Sequence, residues 1–163
     1  MREWYHIMPS RREVTEKLIR AGVMHFVRLR YGCFTELGVI PCGKRRADII
    51  TINMQGKITC IEVKSCKADF TSDRKYHEYL PHCHKMYILV PPDSDWIKDY
   101  SQVLKEQGIG VLYLCPKSGF IKTMFSAKIR PMKSKDKRNI IFRMCFRSAT
   151  YSKKNTKRYK VFI

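Results

Sequence analysis

Negative charge is what this sequence has least of. Asp and Glu account for 14 of its 163 residues against 33 Lys and Arg, a formal net charge of +19, and only one acid, Asp136, lies beyond residue 121. That imbalance excludes the evenly mixed surface of an ordinary soluble domain and points to a polyanionic partner, nucleic acid first and anionic membrane second. Long hydrophobic runs are also missing. The longest, such as Met86 to Val90, are a few residues, far short of the roughly 20 that a bilayer-crossing helix needs. Paired cysteine spacings are absent too: seven cysteines, an odd number, scatter at 33, 42, 60, 66, 83, 115 and 145 with no secretory leader ahead of them. This argues against a disulfide framework, and the expected setting is a reducing cytoplasm, with the protein nucleoid-associated. His82, Cys83 and His84 lack the second ligand pair that a structural zinc site shows, so they read as a polar turn around a buried thiol.

What is present is enough for a core. Apolar residues make up 44% and aromatics 12%, which excludes a disordered chain, and the length suits one domain. The expected organisation is a domain over residues 1–150 followed by a basic tail, 151–163. Charge divides unevenly between segments: residues 1–121 carry 19 basic and 13 acidic side chains, whereas 122–163 carry 14 basic ones and Asp136. A carboxylate facing an anionic partner repels it unless something neutralises it, and a bound metal is the simplest agent.

Ser10 followed by Glu13 has capping-box spacing, and Val14, Leu18, Ile19, Val23, Phe26 and Val27 recur at helical intervals, predicting a helix from Ser10 to Arg30 with Gly22 its weak point. Gly32, Gly38, Pro41 and Gly43 then break the chain, leaving Glu36 on a turn or helix end. Ala47–Met54 and Lys57–Lys64, joined by Gln55-Gly56, read as an antiparallel hairpin. A helix capped by Thr71 or Ser72 runs to Leu80 and stops at Pro81; Lys85–Val90 reads as a buried strand. A helix carrying Ile97, Tyr100 and Leu104 ends at Gly108, and strands Ile109–Leu114 and Phe120–Met124 complete a mixed sheet flanked by helices, an α/β architecture. Ser134–Ala149 reads as a basic amphipathic helix docked on the domain, and Tyr151–Lys160 as a free arm.

The hairpin holds the chemistry. Glu62 and Lys64 stand at i and i+2 of one strand, so they share a face while Ile61 and Val63 take the other; one register sets Asp48 beside Glu62. Two such carboxylates repel unless a divalent cation lies between them, and oxygen ligands favour Mg²⁺ or Mn²⁺. Lys64 would then orient or deprotonate a metal-bound water, or stabilise charge developing on a phosphate. Glu36 would add a third carboxylate to the metal's water shell. A lone Glu-x-Lys is far more often an ordinary cross-strand salt bridge; the upstream Asp48 and Glu36 and the basic chain shift the reading towards a site.

The order Glu36, then Arg46-Ala47-Asp48, then Glu62-Val63-Lys64 resembles the PD-(D/E)XK nuclease superfamily, with Ala47 where that name has Pro. Arg46-Ala47-Asp48-Ile49-Ile50, the run Ile61–Ser65, Asp69-Phe70, Asp73, Lys75, Tyr79, Cys83 and Val90-Pro91 resemble more narrowly the MmcB-like DNA repair family. The resemblance implies a restriction-endonuclease-like mixed sheet with a basic C-terminal helix, and a metal held by Asp48, Glu62 and the Val63 carbonyl. Glu36 would assist, Lys64 would be catalytic, and the activity would be metal-dependent hydrolysis of DNA phosphodiesters in repair or recombination.

Backbone contacts are expected from Lys44, Arg45 and Arg46 on the turn before Asp48, from Lys75, from Arg138, Arg143 and Arg147 on the C-terminal helix, and from Lys153 and Lys154 in the tail. Asp73 is balanced between charging a helix start and flanking the site. The expected partner is DNA, with no membrane and no small-molecule cofactor; a homodimer is left open. The rivals are a catalytically inactive DNA-binding module on the same fold, and a membrane-surface protein using the basic helix.

Overall fold

A computed structural model describes residues 9–40, 45–73 and 75–155. The first helix, α1 (Arg11–Arg28), starts as expected: Ser10 and Glu13 exchange side-chain and backbone hydrogen bonds in a capping box. Its inner stripe buries Leu18 and Phe26. Gly22 is in that stripe for a reason of space, since a Cβ there would lie 2.6 Å from Ile49 Cδ1. The gap that weakens the helix lets it lie close on the sheet.

Among the described residues six strands form one sheet in chain order: β1 (Gly32–Gly38), β2 (Arg46–Ile52), β3 (Ile58–Val63), β4 (Lys85–Val90), β5 (Gly110–Leu114) and β6 (Ile121–Phe125). β1, β2 and β3 pair antiparallel, β3, β4 and β5 parallel, and β6 returns antiparallel to β5. The α/β fold with a mixed sheet is thus as the pattern predicts. β3 is buried along its whole length, which suits a central strand covered on both faces. On one face α1 covers Ile49, Ile61, Leu89 and Leu112. On the other, Ile50, Ile58, Cys60, Ile88 and Val111 pack against the remaining helices. These are α2 (Lys67–Ser72), α3 (Tyr76–Tyr79), α4 (Ser101–Glu106) and α5 (Ser134–Asn155), with 3₁₀ turns at Leu80–His82 and Asp95–Tyr100.

Three sequence expectations are corrected. Glu36 lies in a strand, not on a turn or helix end; Gly32 and Gly38, two of the residues that suggested a break, are the strand's two ends, while Pro41 and Gly43 lie outside the described residues. Its φ of 49° is left-handed, and this lets Leu37 and Val39 join the core layer that Phe34 touches, although they are an odd number of positions away. The helix placed at Thr71–Leu80 is instead two: α2 ends at Ser72 with Asp73 extended (φ −115°, ψ 101°), and α3 begins at Tyr76. α5 continues to Asn155, so the first part of the expected free arm is helical; residues 156–163 lie outside the described residues. No helix among the described residues is long and apolar enough to cross a membrane.

Candidate active site

The register that pairs Ile49 with Ile61 brings Asp48 level with Glu62 at the end of the β2–β3 ladder. Asp48 is fixed there by a hydrogen bond from the Val63 amide to its Oδ2, 2.7 Å. Glu62 projects on the same face from the centre of the sheet and is 6% exposed. One of its oxygens, Oε1, lies 3.5 Å from Lys64 Nζ; the other, Oε2, is buried with no hydrogen-bond partner among the described residues. A buried acceptor left in that condition is costly, and such groups mark places where an ion, water or substrate belongs.

Lys64 is 2% exposed and places its ammonium between Glu62 and Asp73, whose Oδ2 is 3.1 Å away. Asp73 is itself positioned by the Lys75 amide, which donates to Oδ1 at 3.0 Å. The break between α2 and α3 therefore has a consequence for the site: it leaves Asp73 extended and able to reach back to β3. Asp69, in α2, accepts from both the amide and the hydroxyl of Ser65, closing the turn that follows Lys64. Below the cluster, the buried Tyr79 donates from its hydroxyl to the Arg46 carbonyl, 2.9 Å, tying α3 to the start of β2.

The titration of these groups follows from burial and crowding. Desolvation, then the Asp48 charge, pushes the Glu62 carboxyl up to about 8, so without a cation it holds a proton at neutral pH. Asp48 is raised as well, by burial first, against the Val63 hydrogen bond and Lys64 that lower it. For Lys64, burial pulls downward, but Glu62 and Asp73 outweigh it and the net shift is upward. Asp73 is also desolvated, yet the Lys75 amide and Lys64 hold it below its ordinary value. Lys64 therefore stays a cation at neutral pH and is poorly suited to act as a base.

The structure brings Asp48, Glu62 and Lys64 together as their spacing suggested. Glu36 stands apart at the rim: its carboxylate is 67% exposed and 3.9 Å from the equally exposed Arg46 guanidinium. Among the described residues no three His, Cys, Asp or Glu side chains converge into a metal cage. Two carboxylates with an orphaned oxygen still suit Mg²⁺ or Mn²⁺, since Mg²⁺ is typically held by one or two carboxylates and keeps several waters. His84 Nδ1 accepts from the Ile58 amide and His82 Nδ1 is 3.6 Å from Asp136; Cys83 is buried.

The cationic candidates fall into groups. Arg45 is engaged bidentately by Glu78, at 2.6 and 3.0 Å. Arg46, Lys75 and Arg138 are exposed. Arg143 Nη1 donates to the Gly38 and Ile40 carbonyls at 2.7 and 2.8 Å, and Arg147 Nη1 to those of Thr35 and Glu36 at 2.6 and 3.2 Å. These two guanidinium groups anchor α5 on β1 beside Glu36. Lys153 and Lys154 fall near the end of α5, and Lys44 lies outside the described residues. Sequence reasoning did not find the Lys64–Asp73 pair or the Tyr79–Arg46 bond; neither has a periodic spacing, so only the fold joins them.

The family model described as DNA repair protein MmcB-like matches residues 6–109, a span that holds Asp48, Glu62, Lys64, Asp73 and Tyr79. A solved structure from Silicibacter pomeroyi, described as a protein of unknown function, is similar with a TM-score of 0.70 at 18% identity, over 91% of this chain and 97% of that one. At that identity the likeness shows the fold. No curated protein matches the sequence.

Proposed function

This chain belongs to the MmcB-like family of DNA repair proteins, and from that premise we propose that it is a metal-dependent DNA nuclease of the PD-(D/E)XK type. The observation that carries the proposal is the buried Glu62, its Oε2 without a hydrogen-bond partner among the described residues, level with Asp48 and in contact with the Lys64 ammonium. For stability alone this arrangement is poor: two desolvated carboxylates share one end of a ladder, and replacing such groups by apolar residues is often neutral or favourable.

In this reading Asp48, Glu62 and the Val63 carbonyl hold Mg²⁺ or Mn²⁺, with Glu36 at the rim. When bound, such an ion polarises the scissile phosphate and makes hydroxide available at neutral pH. Glu62 would meet such an ion as a carboxylate. Lys64, kept charged by its carboxylate neighbours, stabilises the negative charge that builds on the phosphate oxygens. Asp73 sets the position of Lys64 and yields part of it to the substrate. Arg46 and Lys75, both exposed, contact the DNA backbone, which positions the strand without reading sequence.

One observation favours the second reading, a DNA-binding module without catalysis: Lys64 is almost inaccessible and already paired with Asp73. The two readings part in a cleavage assay. The nuclease reading expects Mg²⁺-dependent hydrolysis of labelled DNA that disappears in Lys64→Ala while binding persists; a binding module retains DNA in every variant and cuts nothing.

A further inference from the structure

At the end of the sheet opposite Glu62, His84 leads into β4 beside the start of β3. Its amide donates to the Ile58 carbonyl at 2.8 Å and its Nδ1 accepts from the Ile58 amide at 3.0 Å. The second bond fixes the tautomer: the ring proton is on Nε2. The side chain is only 6% exposed, yet Nε2–H donates to nothing among the described residues. A buried donor in that condition marks a place where an acceptor belongs.

His84 lines a cavity of about 110 Å³ with Asn53, Lys57, Thr59 and Lys85. What these side chains offer is donors. Asn53 Oδ1 is occupied by the Gln55 and Lys57 amides at 3.1 and 2.9 Å, which leaves its Nδ2 amide; Thr59 brings a hydroxyl, and Lys57 and Lys85 bring ammonium groups. No carboxylate lines the cavity. A third cation stands close by, since Lys137 Nζ comes within 2.9 Å of where a Gly56 Cβ would lie. Asp136, one residue before Lys137, is turned to His82 at 3.6 Å. The His84 imidazole is held below its ordinary value by burial first and then by Lys57 and Lys137, as expected of a ring facing uncompensated positive charge.

We infer that His84, Asn53, Lys57 and Lys85 bind a phosphate group. Charged donors and a fixed imidazole N–H around one small space suit an anion with several acceptor oxygens. Size narrows the ligand. The volume is about four times the roughly 30 Å³ of one liquid water, room for a phosphate but well short of the ~300 Å³ usual for a pocket that takes a nucleoside-sized ligand. The group is carried either by a DNA backbone or by a free phosphate. Because the cavity lies at the far end of β3 from Asp48, Glu62 and Lys64, the assignment stands whether or not that cluster cuts DNA.

The test is NMR titration of the His84 imidazole, identified by its loss in His84→Gln, in EDTA. The additions are inorganic phosphate, chloride or acetate at the same ionic strength, and a closed duplex hairpin. Phosphate is expected to bind saturably and to move the His84 midpoint upward, because an anion beside Nε2 favours the imidazolium; chloride and acetate leave it in place. Lys57→Gln/Lys85→Gln weakens the response by about tenfold or more. Lys117→Gln/Lys122→Gln, which removes the same charge from exposed lysines at the β5–β6 end, changes it less than about twofold. Matching thermal melts show that the variants fold, and the parent's own response decides the matter if one does not. A response to the hairpin assigns the phosphate to a DNA backbone; a response to inorganic phosphate alone assigns it to a free phosphate. No response to either, an equal response to chloride or acetate, or an unchanged response in folded Lys57→Gln/Lys85→Gln overturns the inference.

Discussion

Glu62 carries the clearest tension in the molecule between stability and function. Its carboxyl is raised from 4.5 to about 8, by desolvation first and the Asp48 charge second. Because the folded state binds this proton more tightly than the unfolded chain, its contribution is largest below pH 4.5 and is lost as pH rises through about 8. Glu62→Gln removes the titration while keeping the shape. In EDTA the variant is expected to melt above the parent at pH 8.5, with the gap narrowing towards pH 5. For a chain of this size each 1 kcal/mol corresponds to roughly 2–4 °C. Adding Mg²⁺ at pH 8.5 should raise the parent's melting temperature and leave the variant's unchanged, because only the parent has the full ligand set. Parent and variant that melt together at both pH values would contradict this view of Glu62. Lys64 makes a complementary case: burial pulls its ammonium down while Glu62 and Asp73 raise it, and the conserving substitution Lys64→Arg is a poor substitute in a site built around a compact ammonium.

At the scale of elements, α5 is attached by a small number of directed bonds. Arg143 donates to two carbonyls at the end of β1, and Arg147 to two more beside Glu36. Hydrogen bonds from a charged donor are worth about 1.5–3 kcal/mol, so Arg143→Ala is expected to lower unfolding free energy by about 2 kcal/mol, read from urea denaturation. Limited proteolysis should then release α5 first. A loss under about 0.5 kcal/mol would show that the apolar stripe alone holds the helix. Gly110 marks a second constraint: a Cβ there would meet the Ala127 amide nitrogen at 2.5 Å as well as the Tyr87 ring. Backbone cannot retreat as a side-chain tip can. Gly110→Ala is expected to destabilise the sheet by about 1–3 kcal/mol, measured the same way.

For the whole molecule, charge and shape divide the labour. The excess of +19 favours any phosphate backbone, and that attraction is sensitive to salt. If six phosphates are neutralised, affinity for duplex DNA falls about a thousandfold between 50 and 200 mM salt; titration by anisotropy checks this, and a flat salt response would remove electrostatics from the account of binding. Much of this architecture is legible in the sequence. The α1 capping box, the Gln55-Gly56 turn, the apolar run of β4 and the alternation that sets Glu62 and Lys64 on one face are local patterns, and local patterns survive folding. What is not legible depends on contacts between distant segments. Glu36 belongs to a strand because the residues on either side of it pair with β2, Thr35 opposite Ile49 and Leu37 opposite Ala47. Asp73 meets Lys64 only because α2 ends at Ser72. Arg143 and Arg147 read as DNA-contacting cations from the sequence, and their hydrogen bonds to the carbonyls of Gly38, Ile40, Thr35 and Glu36 join segments more than a hundred residues apart.

The most direct measurement is cleavage of labelled single-stranded, flap and duplex DNA by the parent, Lys64→Ala and Asp48→Asn, each with Mg²⁺, Mn²⁺ or EDTA, alongside binding to the same substrates. Expected is hydrolysis by the parent with either metal, none in EDTA, and a drop of at least about a hundredfold in both variants, with DNA affinity within a few-fold of the parent. Intact binding with no cleavage by the parent on any substrate, or cleavage that is equal in all three proteins, would contradict a nuclease site at Asp48, Glu62 and Lys64.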